Sequence, residues 1–211
     1  MKRFHKALII GNGPLPSRRR IAALLDDETL IICADGGANR ALARGITPHI
    51  VIGDLDSLSP RTAAAFAFAE KIRSEDQENT DLEKALDLLL QRGITRAVVI
   101  GATGRRPDHT LANFSILAKY HPRIDLLFVD SWCRMRIIDG AVSLPLPKGT
   151  TVSLLPLGRC EGVTTRGLAY PLNQAVLELG VREGISNLVS DSPVEITLHK
   201  GTLLLFVVER K

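Results

Sequence analysis

Five short, almost wholly apolar runs constrain this chain more than any other feature: Ala7–Ile10, Leu30–Ala34, His49–Ile52, Ala97–Ile100 and Leu126–Val129. Each is only four or five residues long and rich in Ile, Val and Leu, without polar alternation. A strand buried on both faces of a parallel sheet has this pattern. Helical stretches separate the runs. The clearest is Thr80 to Arg92, where Leu82, Ala85, Leu86 and Leu89 recur at i, i+3, i+4 and i+7, the spacing of one buried helix face. Thr80 and Glu83 have the spacing of a capping box, and Gly93 stands where a helix-ending glycine belongs. Strand and helix in alternation predict a three-layer α/β domain with right-handed crossovers.

After Asp130 the rhythm changes. Turn signals recur at Asp139-Gly140, Lys148-Gly149, Leu157-Gly158, Arg166-Gly167, Gly180, Glu183-Gly184 and Lys200-Gly201. Short runs such as Thr151–Leu155, Val194–Leu198 and Thr202–Val208 lie between them, which is the spacing of a β-sandwich. The expected fold class is therefore α/β. A Rossmann-like, mostly parallel sheet is expected over residues 1–130, and an all-β sandwich over 131–211.

Composition removes several classes of function. The 211 residues contain no apolar run near the length of about 18 that a membrane helix needs. The apolar stretch after the basic start is too short for a secretory leader. Cys33, Cys133 and Cys160 are odd in number and widely spaced, which fits a reducing cytoplasm and neither a disulfide framework nor a cysteine zinc site. The net charge of +4 is spread evenly, with 18 basic against 16 acidic residues over 1–130 and 9 against 7 over 131–211. Arg18-Arg19-Arg20 has no interleaved aromatic residue and reads as a solvated helix face. No nucleic-acid partner is expected.

In an open parallel sheet, ligands bind beyond the carboxyl ends of the strands. Those ends are followed here by Gly11-Asn12-Gly13-Pro14, Asp35-Gly36-Gly37-Ala38-Asn39-Arg40, Gly53-Asp54-Leu55-Asp56-Ser57 and Gly101-Ala102-Thr103-Gly104-Arg105-Arg106-Pro107-Asp108-His109. Asp54 and Asp56, at i and i+2, point to one side if the chain stays extended, and two carboxylates so placed suit Mg²⁺. The competing reading is an Asp-rich turn whose side chains cap local N–H groups. Asp81 is either a third metal-directed carboxylate, with Lys84 a phosphate contact, or simply an acid favoured at a helix start. Gly36 and Gly37 either let a nucleotide approach the backbone or serve a strand-to-helix turn. Arg105 and Arg106 offer forks that match phosphate oxygens. Asp108 either orients His109 or an arginine, or begins a helix. No Walker A lysine motif and no GxGxxG follow the first strand.

In this order the segments resemble the thiamine pyrophosphokinase family. The resemblance rests on Ala34–Asn39, Gly53–Ser57, Gln77–Lys84 and Gly101–Asn113. In the second half it rests on Thr164–Leu172 and Gly184–Asn187. It implies a Mg²⁺–ATP enzyme that transfers the β,γ-pyrophosphoryl group of ATP to the hydroxyl of thiamine, releasing AMP. It also implies a homodimer whose active site is shared between chains. Position by position, it makes Asp54, Asp56 and Asp81 the catalytic and metal-binding carboxylates. Asp35, Gly36, Gly37, Asn39, Arg106, Asp108 and His109 would belong to the ATP site. Gln77, Tyr170, Ser186 and Asn187 would belong to the thiamine site. The chain departs from the family pattern at Arg105, which stands in place of a glycine. Two other readings compete: a diphosphokinase for another small alcohol, such as a hydroxymethylpterin, and a nucleotide-binding regulator without catalysis.

Overall fold

The structure, a computed structural model, describes residues 4–74, 76 and 78–209. The chain divides between Ser131 and Trp132 into two compact units.

The first unit alternates strand and helix. Its strands are β1 (Lys6–Ile10), β2 (Thr29–Ala34), β3 (Ile50–Gly53), β4 (Glu70–Arg73), β5 (Arg96–Ile100) and β6 (Asp125–Val129). Its helices are α1 (Arg18–Ala22), α2 (Gly37–Arg44), α3 (Pro60–Ala65), α4 (Asp81–Gln91) and α5 (Pro107–Tyr120). The strands lie in the order β6-β5-β1-β2-β3-β4, and every pairing among them is parallel. The chain runs outward from β1 to β4 and then returns to the other side of β1, so the order reverses between β1 and β5. A crevice opens at such a reversal because the loops leaving the two strands part to opposite faces.

The strands alternate their burial between the two faces. Leu8 and Ile10 of β1, Cys33, Val51, Ile100 and Val129 join Ile21, Ala38, Ala41 and Phe66 in one core. The intervening Ile9, Ile32 and Val99 are buried as well. On α4, Leu82, Ala85, Leu86 and Leu89 are the buried stripe, and the helix packs against β1, β2 and β3 and beside α5.

All five apolar runs are strands, within a residue at each end. His49 lies just outside β3, where its Nδ1 accepts a hydrogen bond from Ile31 N at 3.0 Å. Strand β4 had no apolar signature. Its sequence is Glu-Lys-Ile-Arg and it forms the sheet edge, where charged side chains face water and discourage further pairing.

The second unit consists of β7 (Cys133–Ile138), β8 (Val142–Leu144), β9 (Thr151–Pro156), β10 (Arg159–Arg166), β11 (Ala175–Glu178), β12 (Gly184–Leu188), β13 (Val194–Thr197) and β14 (Leu203–Val208). They form two antiparallel layers, β12-β9-β14-β7 and β11-β10-β13-β8. Val152, Leu154, Leu203 and Leu205 of one layer and Val163, Leu177, Val194 and Ile196 of the other share a core. One turn signal proves misplaced: Gly184 begins β12, and the turn before it closes through Gly180 N donating to Glu183 Oε1 at 2.8 Å. No helix among the described residues is long and apolar enough to cross a membrane.

The start of α4 carries a complete capping box. Thr80 N donates to Glu83 Oε2 at 2.9 Å and Glu83 N to Thr80 Oγ1 at 3.3 Å. Burial raises the Glu83 pKa, but Lys119, 2.8 Å from Oε1, and the two Thr80 donors outweigh it and hold the group below its ordinary 4.5. A depressed carboxylate stabilises the fold above its unfolded pKa, and the gain fades as pH falls through the folded value. Glu83→Gln should therefore lower stability by about 1 kcal/mol at pH 7. Thermal melts taken downward in pH from 7 should show the gap to the parent protein closing below pH 4.5.

Candidate functional site

Where the strand order reverses, a cavity of about 960 Å³ is lined by the loops leaving β1, β2 and β5 and by the first turns of α4 and α5. The β1 and β5 loops touch through their backbones: Gly11 N donates to Ile100 O and Gly13 N to Gly101 O, both at 2.8 Å. A Cβ on Gly13 would stand 2.6 Å from the carbonyl oxygens of Gly101 and Thr103, so no larger residue fits there. Gly36 and Gly37 are needed for space too, not for unusual dihedrals. Gly36 has an ordinary helical φ of −56°, yet its Cβ would strike the Asn12 amide at 2.4 Å. A Cβ on Gly37 would come within 2.0 Å of Ile10 O. Gly36 lines the cavity, whereas Gly37 does not.

The carboxylates lie along the same edge. Asp35 directly follows β2 with a φ of +39° and is 8% exposed, and its Oδ1 is buried without a hydrogen-bond partner. Asp54 and Asp56 do not lie on an extended chain. Leu55 has a φ of +67°, and the turn is closed by Asp56 N donating to Asp54 Oδ1 at 3.2 Å. The turn reading holds, the extended chain does not, and the same turn brings the two carboxylates near each other. Single oxygens of Asp35, Asp54 and Asp56 lie within 4.8 Å of one another. Three hard oxygen donors, from carboxylates of which Asp35 is buried with an unsatisfied oxygen, form a donor set that fits Mg²⁺.

Asp81 stands beside this trio, with its Oδ1 3.2 Å from Lys84 Nζ. Gly53 admits it: a Cβ there would sit 2.9 Å from Asp35 Cβ and 3.1 Å from Asp81 Oδ1. Burial pushes the Asp81 pKa up, Lys84 opposes this, and the charges of Asp35 and Asp54 add to the rise.

The remaining nucleotide-directed residues divide. Arg106 and Asp108 pair bidentately at 3.1 and 2.5 Å, and the guanidinium holds the Asp108 carboxyl at about 2. Arg106, Asp108 and His109 all line the cavity. Asn39 does not. Its Nδ2 donates to Ser57 O at 2.7 Å and its Oδ1 accepts from Ser59 N at 3.1 Å, so it pins the carboxylate loop to α2. Sequence reasoning passed over Asn12, Thr103 and Asn113, which also line the cavity. Asn113 Nδ2 donates to Ala102 O at 2.6 Å and Thr103 Oγ1 to Asp130 Oδ2 at 2.9 Å, fixing the β5 loop. The available signal was their place on the segments that follow β1 and β5.

In the second unit, Tyr170 is 73% exposed at the edge of a smaller cavity of about 220 Å³. Asn187 clamps its backbone, accepting from Tyr170 N at 3.1 Å and donating to Tyr170 O at 2.7 Å. Ser186 sits at an irregularity in the β12–β9 pairing with a φ of +60°, its N donating to Ser153 Oγ at 2.9 Å. Arg182, Glu183 and Ile185 line the cavity and were not anticipated. Gln77 lies outside the described residues.

Family models match in two places: "Thiamin pyrophosphokinase, catalytic domain" over residues 21–128 and "Thiamin pyrophosphokinase, vitamin B1 binding domain" over residues 139–203. The chain belongs to the thiamin pyrophosphokinase family. The thiamine pyrophosphokinase of Bacillus subtilis is 28% identical, across 93% of this chain and 95% of that protein. Thiamine pyrophosphokinase 2 of rice is 29% identical, across 96% of this chain and 85% of that protein. A crystal structure of the Bacillus subtilis thiamine pyrophosphokinase superposes with a TM-score of 0.87 at 26% identity, covering 98% of this chain and all of that one. The four carboxylates lie inside the thiamin pyrophosphokinase catalytic match, and Tyr170, Ser186 and Asn187 inside the vitamin B1 binding match.

Asp81 separates a structural acid from a working one. Asn starts a helix nearly as well as Asp, and Asp81→Asn removes a charge that burial already disfavours. Its melting temperature should match or exceed the parent's, while turnover falls roughly a hundredfold. Parallel melting and turnover measurements test this; a loss of stability without a loss of turnover would return Asp81 to a capping role.

Proposed function

We propose that the chain is a thiamine diphosphokinase, transferring the β,γ-pyrophosphoryl group of ATP to the thiamine hydroxyl and releasing AMP. The observation that carries this reading is the trio of Asp35, Asp54 and Asp56, with one oxygen of each within 4.8 Å of the others and a buried, unsatisfied Oδ1 on Asp35, beside a cavity of about 960 Å³ in a chain of this family. In this reading the first unit is a Rossmann-like, ATP-binding catalytic domain over residues 1–130, and residues 131–211 form a sandwich that binds thiamine and dimerises. Cys33, Cys133 and Cys160, none of them in a disulfide, fit a cytoplasmic protein.

Asp35, Asp54 and Asp56 would hold Mg²⁺, with Asp81 directing the same region. Bound there, Mg²⁺ neutralises charge on the phosphate oxygens. The chain's own residues do the rest. The β1 and β5 loops and the first turn of α5 enclose the nucleotide, with Arg106, Asp108 and His109 at its rim. The thiamine hydroxyl oxygen forms a bond to the β-phosphorus as the bond from that phosphorus to the α-phosphate bridging oxygen breaks, and AMP leaves. Asp81, whose pKa burial raises, is the carboxylate best suited to take the hydroxyl proton. Tyr170, exposed and fixed by Asn187, offers a ring face to the cationic thiazolium, a contact of about 0.5–2 kcal/mol. The match to a vitamin B1 binding domain favours thiamine over a pterin alcohol.

Incubation with ATP, Mg²⁺ and thiamine should release AMP in step with a diphosphorylated product. Release of ADP with a monophosphate would overturn the reading.

The proposed homodimer shares its active site, the carboxylates of one chain facing the Tyr170 region of its partner. Mixed dimers of Asp56→Asn with Tyr170→Ala should then regain activity that neither parent has, because one of the two sites carries no lesion. Subunit exchange without recovery would place the whole site within one chain.

A further inference from the structure

Five acidic or basic side chains other than histidine line the cavity of the first unit: Asp35, Asp81, Asp108, Arg105 and Arg106. Arg106 is committed bidentately to Asp108, so that pair cancels. Lys84, the nearest other cation, holds Asp81 Oδ1, and Arg40 donates to Asn12 O at 3.1 Å. Arg105 is exposed, and no hydrogen bond or ion pair engages it among the described residues. It sits on the loop between β5 and α5, whose neighbouring Ala102 and Thr103 are tied down by Asn113 and Asp130.

We infer that Arg105 is the polyphosphate-binding cation of this site, and that the Arg106–Asp108 pair is a structural clasp at the mouth of α5. The inference rests on the ATP-binding reading of the cavity. A triphosphate entering here meets the negative Asp35 and Asp81, and of the two arginines lining the cavity the one it can engage without first breaking an ion pair is Arg105. A guanidinium is suited to the role because its planar fork meets two phosphate oxygens at once. Recruiting Arg106 instead would leave Asp108 unpaired beside the incoming anion.

The experiment compares ATP and adenosine binding to the full chain by calorimetry in Mg²⁺ buffer. It uses the parent, Arg105→Gln, and the double variant Arg106→Gln/Asp108→Asn, which preserves net charge; thermal melts confirm that each is folded. Loss of one charge-assisted phosphate contact at a partly exposed site corresponds to about tenfold weaker binding. Arg105→Gln should weaken ATP by about that factor and leave adenosine within about twofold. The double variant should weaken ATP less than Arg105→Gln does. Equal weakening of ATP and adenosine, no weakening of ATP, or a larger loss in the double variant would each overturn the assignment while leaving the cavity's nucleotide reading intact. A parent protein that binds no ATP would overturn both.

Discussion

Like charges a few ångströms apart repel, and the first unit is arranged around bearing that repulsion at one point. Asp35, Asp54 and Asp56 share a space 4.8 Å across, with Asp81 close enough for its own ionisation to be disfavoured by two of them. Beyond the bond from Asp56 N to Asp54 Oδ1, the trio is held by the chain around it. Asp35 is fixed because β2 is buried between β1 and β3, and Asp54 and Asp56 because their loop turns at Leu55 and is pinned by Asn39. Carboxylates grouped in this way keep their places because the elements around them hold the backbone, and their oxygens form a donor set that fits a hard cation.

The glycines serve the same end. At the reversal of strand order, two loops must approach closely enough to hydrogen-bond backbone to backbone while leaving room for a ligand between them and α5. Gly13 and Gly37 make that possible by having no side chain, and their dihedrals are incidental. The close approach of the loops at this edge therefore arises from packing, while positive φ is reserved for Gly53, Gly101 and Gly104.

The alternation of apolar run and helix was legible because burial on both faces leaves no polar residue in a strand. The capping box and Gly93 were legible because their signals are local. Strand β4 was invisible for the opposite reason: an edge strand is held by backbone pairing to β3, and its side chains are free to be charged. The site was half legible. The carboxylates could be named from their place after each strand, but their grouping depended on a leucine adopting positive φ, which Asp-Leu-Asp does not announce. Asn39 and Asn187 were assigned to the ATP and thiamine sites by the family resemblance alone. Both turn out to use their amide groups on backbone 17 to 20 residues away, a relation that no spacing rule reveals.

The clamp of Asn187 on Tyr170 separates two properties that most binding sites entangle. The hydrogen bonds run to the main chain of residue 170, so the position of that residue is independent of which side chain it carries, and the ring stands free in solvent. Residue 170 can therefore change identity in the course of divergence, from one aromatic to another or to a different chemistry, without disturbing its neighbours. Position 187 has no such latitude, since only an amide of that length both gives and takes a hydrogen bond there. Along a lineage, then, the face exposed at residue 170 can drift while the mount beneath it stays constant.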